Sequence, residues 1–463
     1  MCVYSYRPAG NLAAFFVSFR DHGENDSFGV FGSFGRVMKS VLGVVICLSL
    51  PPAVCAQIAY EREPILYSKT EATDPIAKFI DRIEAGDTEL DRERSHGYLR
   101  SLLNELKIPV SSQTLVFSKT SLQRSRISPR TPRAIYFNDD VYVAWVNGGD
   151  VIEISAADSR IGAVFYRLDQ SQRSPRPKIT RETDDCLSCH GSTHTRRVPG
   201  HIMRSVYPEP NGLPRFSAGT FRTDDTSKFR ERYGGWYVTG THGDLRHMGN
   251  QTHTEDDEGL DLTLGANLTD VRNKFNAKQY ISQHSDIVAL MVLAHQTAVH
   301  NAMTTANFNA RRTIRDARVM NKALEREPDF ESESTKRRFK SAAEDLVEAI
   351  LFVDEFKLTS QIKGSTSFAD EFAKRGPFDK RGRSLRHFDL QSRLFKHPCS
   401  FLIYSDAFAA LPPRLLEEVW KQMKTALSLE SDARFSHLSA RDKQAIREIL
   451  SATLPQSRDA LAR

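Results

Sequence analysis

The chain has 463 residues, 40% hydrophobic and 26% charged, which excludes collagen-like and generally disordered classes and allows a well-buried core in two or three domains. Its 64 Lys and Arg against 58 Asp and Glu give a formal charge of +6, too weak and too evenly interleaved for a dedicated nucleic-acid binder. A chain of this length needs no disulfide scaffold, so its six cysteines, Cys2, Cys47, Cys55, Cys186, Cys189 and Cys399, call for another reading.

Residues 38–57 read MKSVLGVVICLSLPPAVCAQ. Lys39 supplies a positive start, residues 41–50 an apolar run, and Val54 and Ala56 the small positions before a cleavage point at Ala56/Gln57. The run is about ten residues against the roughly 20 of a spanning helix, so a secretory signal is the expectation; a membrane anchor and lipidation of Cys55 are the alternatives. Residues 1–37 carry Arg, Asp and Glu and the tract SFGVFGSFGR, which fits no signal n-region. Either Met38 is the true start or the signal is unusually long. Residues 1–56 are thus a targeting segment, and no apolar run of transmembrane length follows Gln57.

In residues 57–175 the first pattern is helical. Ile76, Phe79, Ile80 and Ile83 share one face in DPIAKFIDRIEAG, and Leu99, Leu102, Leu103 and Leu106 share another in HGYLRSLLNELKI, predicting two short amphipathic helices. The period then drops to two. TLVFS, AIYF, VYVAWV, DVIEISA and AVFYRL, punctuated by Asn138-Asp139-Asp140 and Asn147-Gly148-Gly149, predict an antiparallel region with VYVAWVNGGDVIEIS as a hairpin. A polar linker over 171–181 leads into a loop-rich region, 176–280, dense in Gly and Pro, with a few strands such as WYVT. The region 281–463 reads as helical: a long helix over about 285–325, a second in TKRRFKSAAEDLVEAILFVDEF, a Gly/Arg-rich loop, and terminal helices in LLEEVWKQMKTAL and ARDKQAIREILSATL. The tail from Leu454 is expected to fray. The fold class is α+β, without internal repeats.

The segment that carries chemistry is Cys186-Leu187-Ser188-Cys189-His190. Cys-x-x-Cys-His is the attachment signature of c-type haem: two thiols add to two vinyl groups on one edge of a rigid macrocycle, and the adjoining imidazole reaches the iron from below. Bacterial c-haem attachment follows export, as the signal pattern requires. A zinc site would need four ligands and Cys399 stands alone. A thioredoxin-type pair leaves His190 unexplained, and a structural disulfide across so tight a loop is a third alternative.

For the sixth iron position, Met248 in Arg246-His247-Met248-Gly249-Asn250 is the first choice. It sits in a glycine-bounded loop several tens of residues after the motif. His247 would instead give a bis-His centre, and Met203 and Met291 are further candidates. His295 and His300, five apart on the long helix, do not share a face as an i, i+4 chelating pair would; His295 is expected to hydrogen-bond at the helix surface. His194, His201 and His242 make the region histidine-rich, with a second metal or an acid/base role set against structural roles. Arg196, Arg197, Arg204 and Arg215 follow the motif as propionate partners or as a solvated loop. Trp236 and Tyr237 pack on a macrocycle or in a core strand, and Cys399 reads as a buried free thiol.

Residues 184–190 resemble the motif of a single-haem cytochrome c. The blocks RTPRAIYFNDDVYVAW, GGDVIEISAADSRIGAVFY and GGWYVTGTHGDLRHMGN resemble uncharacterised secreted bacterial proteins with one such motif. The resemblance spans most of the chain after Gln57 and implies a haem protein, with no reaction to carry over. The sequence therefore predicts an exported, periplasmic or secreted carrier of one covalent haem c, transferring single electrons to a redox partner protein. Cys186 and Cys189 are the tethers, and His190 and Met248 the iron ligands. More chain surrounds the motif than a simple carrier needs, so a haem-based sensor or ligand-binding protein with an open or weakly held distal position is the alternative. A di-haem peroxidase would need a second motif, which the chain lacks.

Overall fold

The β-rich stretch folds because its residues satisfy two cores at once. The computed structural model describes residues 58–171, 173–254, 261–428, 430 and 432–462; the expected targeting segment, residues 1–56 with Cys2, Cys47 and Cys55, lies outside the described residues. Helix α1 (Pro75–Ala85) starts where the Asp74 carboxylate accepts from the Ile76 and Ala77 amides, and it ends at Gly86 in the left-handed region. With α2 (Leu99–Glu105) it buries Ile76, Phe79, Ile83, Leu99, Leu102 and Leu103.

Strands β1 (Thr114–Val116), β2 (Arg133–Phe137), β3 (Val141–Val146), β4 (Val151–Asp158), β5 (Gly162–Asp169) and β6 (Ile179–Glu182) pair antiparallel in sequence order. Every residue of β3 is buried. Its odd residues Val141, Val143 and Trp145 join the core under α1 and α2; Tyr142 and Ala144 join a second core on the other face. Alternation of side chains along a strand is what lets one strand serve both. The predicted β3–β4 hairpin forms, turning at Gly148 with φ of 70°.

After β6 come the single-turn helix α3 (Leu187–His190), a small ribbon of β7 (Arg204–Val206) and β8 (Thr220–Arg222), and β9 (Trp236–Tyr237). Strand β9 returns to pair with β1, so the loop-rich region closes the far edge of a seven-stranded sheet ordered β6-β5-β4-β3-β2-β1-β9. Strand β10 (Gly240–Thr241) pairs with β11 (Lys363–Gly364).

Helix α4 (Ile287–Ala323) is the long helix the pattern predicts. Asp286 caps it through the Val288 and Ala289 amides, and its other carboxylate oxygen accepts from the Ser365 and Thr366 amides and the Thr366 hydroxyl. Helices α5 (Glu333–Ile350), α6 (Phe368–Ala373), α7 (Asp406–Ala409), α8 (Pro413–Ala426) and α9 (Ala440–Thr453) complete the second core. The end of the chain departs from expectation. Residues 455–462 form α10 (Pro455–Ala462), held because Leu461 and Ser457 are buried. Among the described residues no helix is long and apolar enough to cross a membrane.

Candidate functional site

The β5–β6 hairpin delivers the chain to the cysteine motif. Leu187 is buried in the core under α1 and α2 and anchors the turn. The Cys189 and His190 amides both bond the Cys186 carbonyl, at 3.3 and 2.9 Å, which puts the two thiols and the imidazole on one turn. Gly191 ends it where a Cβ would stand 2.5 Å from the Tyr60 hydroxyl, so a side chain there would displace the turn.

Both thiols are free; Cys186 is half-buried and Cys189 exposed. Burial pushes the Cys186 thiol up to about 12, with the Glu153 and Glu182 carboxylates adding to it. A redox-active Cys-x-x-Cys thiol is activated by the opposite shift, so the thioredoxin-type reading has no support from this geometry. Among the described residues no three His, Cys, Asp or Glu form a metal-holding group, and the motif has no partners for a four-ligand zinc site.

The His190 ring packs on Phe165 of β5, with centres 4.7 Å apart. Burial lowers its pKa and keeps it neutral near pH 7. Its Nδ1 lies 2.9 Å from the Gly200 carbonyl and therefore donates to it, which leaves the lone pair on Nε2. The Gly200 amide and the Thr195 hydroxyl return bonds to the His190 carbonyl. Gly200 is itself set by α4: Asn301 Oδ1 accepts from the His201 amide at 2.8 Å, and Asn301 Nδ2 donates to the His201 carbonyl at 2.7 Å. A Cβ on Gly200 would lie 2.3 Å from Asn301 Oδ1. A chain of backbone bonds thus runs from α4 to the tautomer of His190.

Two ion pairs lie near the motif. Arg133 meets Glu153 at 2.6 Å and Arg167 meets Glu182 at 2.7 Å. Arg204, near the Cys189 thiol, is half-buried over the Phe216 ring and donates to Thr220 Oγ1. Arg196 and Arg197 are exposed in left-handed backbone, and Arg215 bonds the Thr254 carbonyl.

Met248 is buried elsewhere. Its sulfur accepts from the Ser205 hydroxyl at 3.7 Å and its amide bonds the Arg232 carbonyl, whereas His190 is set by Phe165 and Gly200. His247 beside it is buried against Phe229, Tyr233 and His242, with Nε2 unpartnered and its pKa lowered to about 3 by burial. His242 is used on both nitrogens, Nδ1 to the Leu245 carbonyl and Nε2 from the Asn267 amide. Trp236 and Tyr237 lie in β9, and Trp236 donates to the Arg204 carbonyl. The surface position expected for His295 is corrected. The ring is fully buried, stacked on Phe352 at 4.2 Å and bonded to Ser400, because the helix face carrying it packs into the second core. Cys399 is fully buried and burial raises its thiol pKa.

Sequence reasoning did not connect His201, His300 and Tyr142, which the structure gathers next to His190. The Tyr142 ring is 4.3 Å from that of His201, and the Tyr142 hydroxyl is 3.1 Å from His300 Nδ1; His201 also faces Phe165. The i, i+3, i+7 spacing of His300, Met303 and Asn307 was the available signal for the face of α4 that approaches them. The adjoining cavity of about 10 Å³ has room for a water or an ion and none for a macrocycle.

Fold and site together define an α+β chain that presents a free Cys-x-x-Cys-His turn at the edge of a seven-stranded antiparallel sheet. No protein-family model, curated protein or solved structure matches it.

Proposed function

We propose that the chain is an exported c-type cytochrome that carries one covalent haem and passes single electrons in the periplasm to a redox partner protein. The observation that carries the reading is the His190 arrangement. A metal-binding histidine typically donates its second ring nitrogen to a carbonyl or carboxylate, which fixes the ring and strengthens the ligating nitrogen. His190 donates Nδ1 to Gly200 immediately beside two free thiols on the same turn. Haem iron, when bound, supplies the one-electron couple. Cys186 and Cys189 would tether the macrocycle, and His190 would offer Nε2 to the iron. The Phe165 ring and the Gly200 carbonyl hold the imidazole in place, and the neutral form that burial favours keeps its lone pair available at neutral pH.

Met248 would be the second iron ligand. Its sulfur already accepts from Ser205, and this observation favours a second reading in which the distal position is weakly held or open and the protein binds or senses a small ligand. Replacing Cys186 and Cys189 by Ala abolishes haem that survives denaturing electrophoresis on the primary proposal; retained haem stain contradicts it. Carbon monoxide separates the two readings: an unchanged reduced optical spectrum supports the six-coordinate carrier, and a clear shift supports ligand binding. For export, N-terminal sequencing of the secreted chain is expected to start at Gln57, and a start well upstream overturns cleavage there.

A further inference from the structure

Three buried polar atoms without a partner among the described residues belong to side chains that line one small cavity: His201 Nε2, His300 Nε2 and Asn307 Oδ1. Their residues are 6%, 3% and 4% exposed. Buried polar atoms are nearly always paired, so three on side chains around one cavity point to an occupant. Their orientations are set from outside. Asn307 Nδ2 donates to the Ser159 carbonyl, which leaves Oδ1 free; Tyr142 engages His300 Nδ1; and Asn301 fixes the His201 backbone.

With metal–nitrogen bonds of about 2 Å, two imidazoles sharing one ion place their ring centres at most about 6 Å apart; those of His201 and His300 are 5.8 Å apart. Met303, one turn along α4 from His300, lines the same cavity. Its sulfur takes only a weak bond from Ser405 Oγ at 3.8 Å. Burial keeps both imidazoles neutral. Asp158 also lines the cavity, but its oxygens are engaged by the Thr73, Arg160 and Ile161 amides; it contributes one negative charge without a free donor. The donors are uncharged, two borderline imidazoles and one soft thioether; the thioether favours Cu(I), whereas hard divalent cations take carboxylate and carbonyl oxygens.

We propose that His201, His300 and Met303 bind a single Cu(I) ion in this cavity, with Asn307 Oδ1 as a weaker oxygen donor. The site does not rest on the haem reading. Its test uses the full chain with every cysteine except the buried Cys399 replaced by serine, titrated anaerobically with Cu(I) against a chromophoric chelator. One equivalent is expected to bind and to raise the melting temperature. His201→Ala and His300→Ala are each expected to weaken binding at least 100-fold, and Met303→Leu, which conserves volume, about tenfold. If the alanine variants fail to fold, Met303→Leu still reads the site. No Cu(I) uptake in the parent, affinity unchanged in Met303→Leu, or a crystal structure grown with Cu(I) that shows only water between the two rings overturns the proposal.

Discussion

Gly200 sets the tautomer of His190 through a missing side chain. An alanine Cβ would meet Asn301 Oδ1 at 2.3 Å, and that oxygen is held by the His201 amide. Gly200→Ala is expected to cost about 1–3 kcal/mol in urea denaturation, the range for overpacking a tight site. Asn301→Ala removes the clash along with two hydrogen bonds. The double variant is therefore expected to be less destabilised than the sum of the singles by about 1 kcal/mol, and strict additivity would contradict the contact. Glu355 gives a pH-dependent counterpart. Burial pushes its carboxyl up to about 8, while the Leu394 amide bonds it. The folded state then holds a proton that the unfolded state loses near pH 4.5. This penalty is absent below that value, grows as pH rises toward 8, and levels off above it. Glu355→Gln is expected to be more stable than the parent by about 3 kcal/mol at pH 7 and nearly equal to it at pH 4; a constant difference between those values would contradict the assignment. Of these residues the sequence marks only the motif itself. The Cys-x-x-Cys-His motif is legible because its spacing is local, while Gly200 and Asn301 meet across a hundred residues and leave no local trace.

At the scale of elements, the periodic patterns were legible wherever one strand or helix face met one core. The two N-terminal helices, the β3–β4 hairpin and α4 all appear where their apolar spacing placed them. The pairing of β9 with β1 was not legible, because a two-residue strand carries no period and its partner lies more than a hundred residues earlier. The expected fraying of the tail failed for a related reason: a single buried leucine on a short helix is invisible as a pattern and still adds stability. Removing residues 455–463 is expected to lower stability by about 2 kcal/mol, the worth of one buried leucine, measured by urea denaturation. Asp286 is a larger case. It caps α4 with one oxygen and holds the 365–366 turn with the other. Asp286→Ala is expected to cost about 2–4 kcal/mol, combining a lost cap with buried amides left unpaired. A loss below about 1 kcal/mol would show that water replaces those bonds.

Over the whole molecule, one sheet with cores on both faces connects the candidate site to α4. Strand β5 supplies Phe165 under His190, β3 supplies Tyr142 beside both His201 and His300, and α4 supplies Asn301 and His300. Composition and periodicity foretold a globular α+β chain, but the convergence of β3, β5 and α4 behind the motif follows from topology alone. The histidines read singly as structural become a cluster only once the sheet is closed. On the proposed function, Cys186 and Cys189 would hold one haem and His190 would ligate its iron. Intact mass spectrometry of the chain produced with c-haem maturation tests this most directly. A mass increase of one haem is expected that survives denaturation and disappears when Cys186 and Cys189 are both replaced by Ala; an unmodified mass of the parent chain would contradict the assignment.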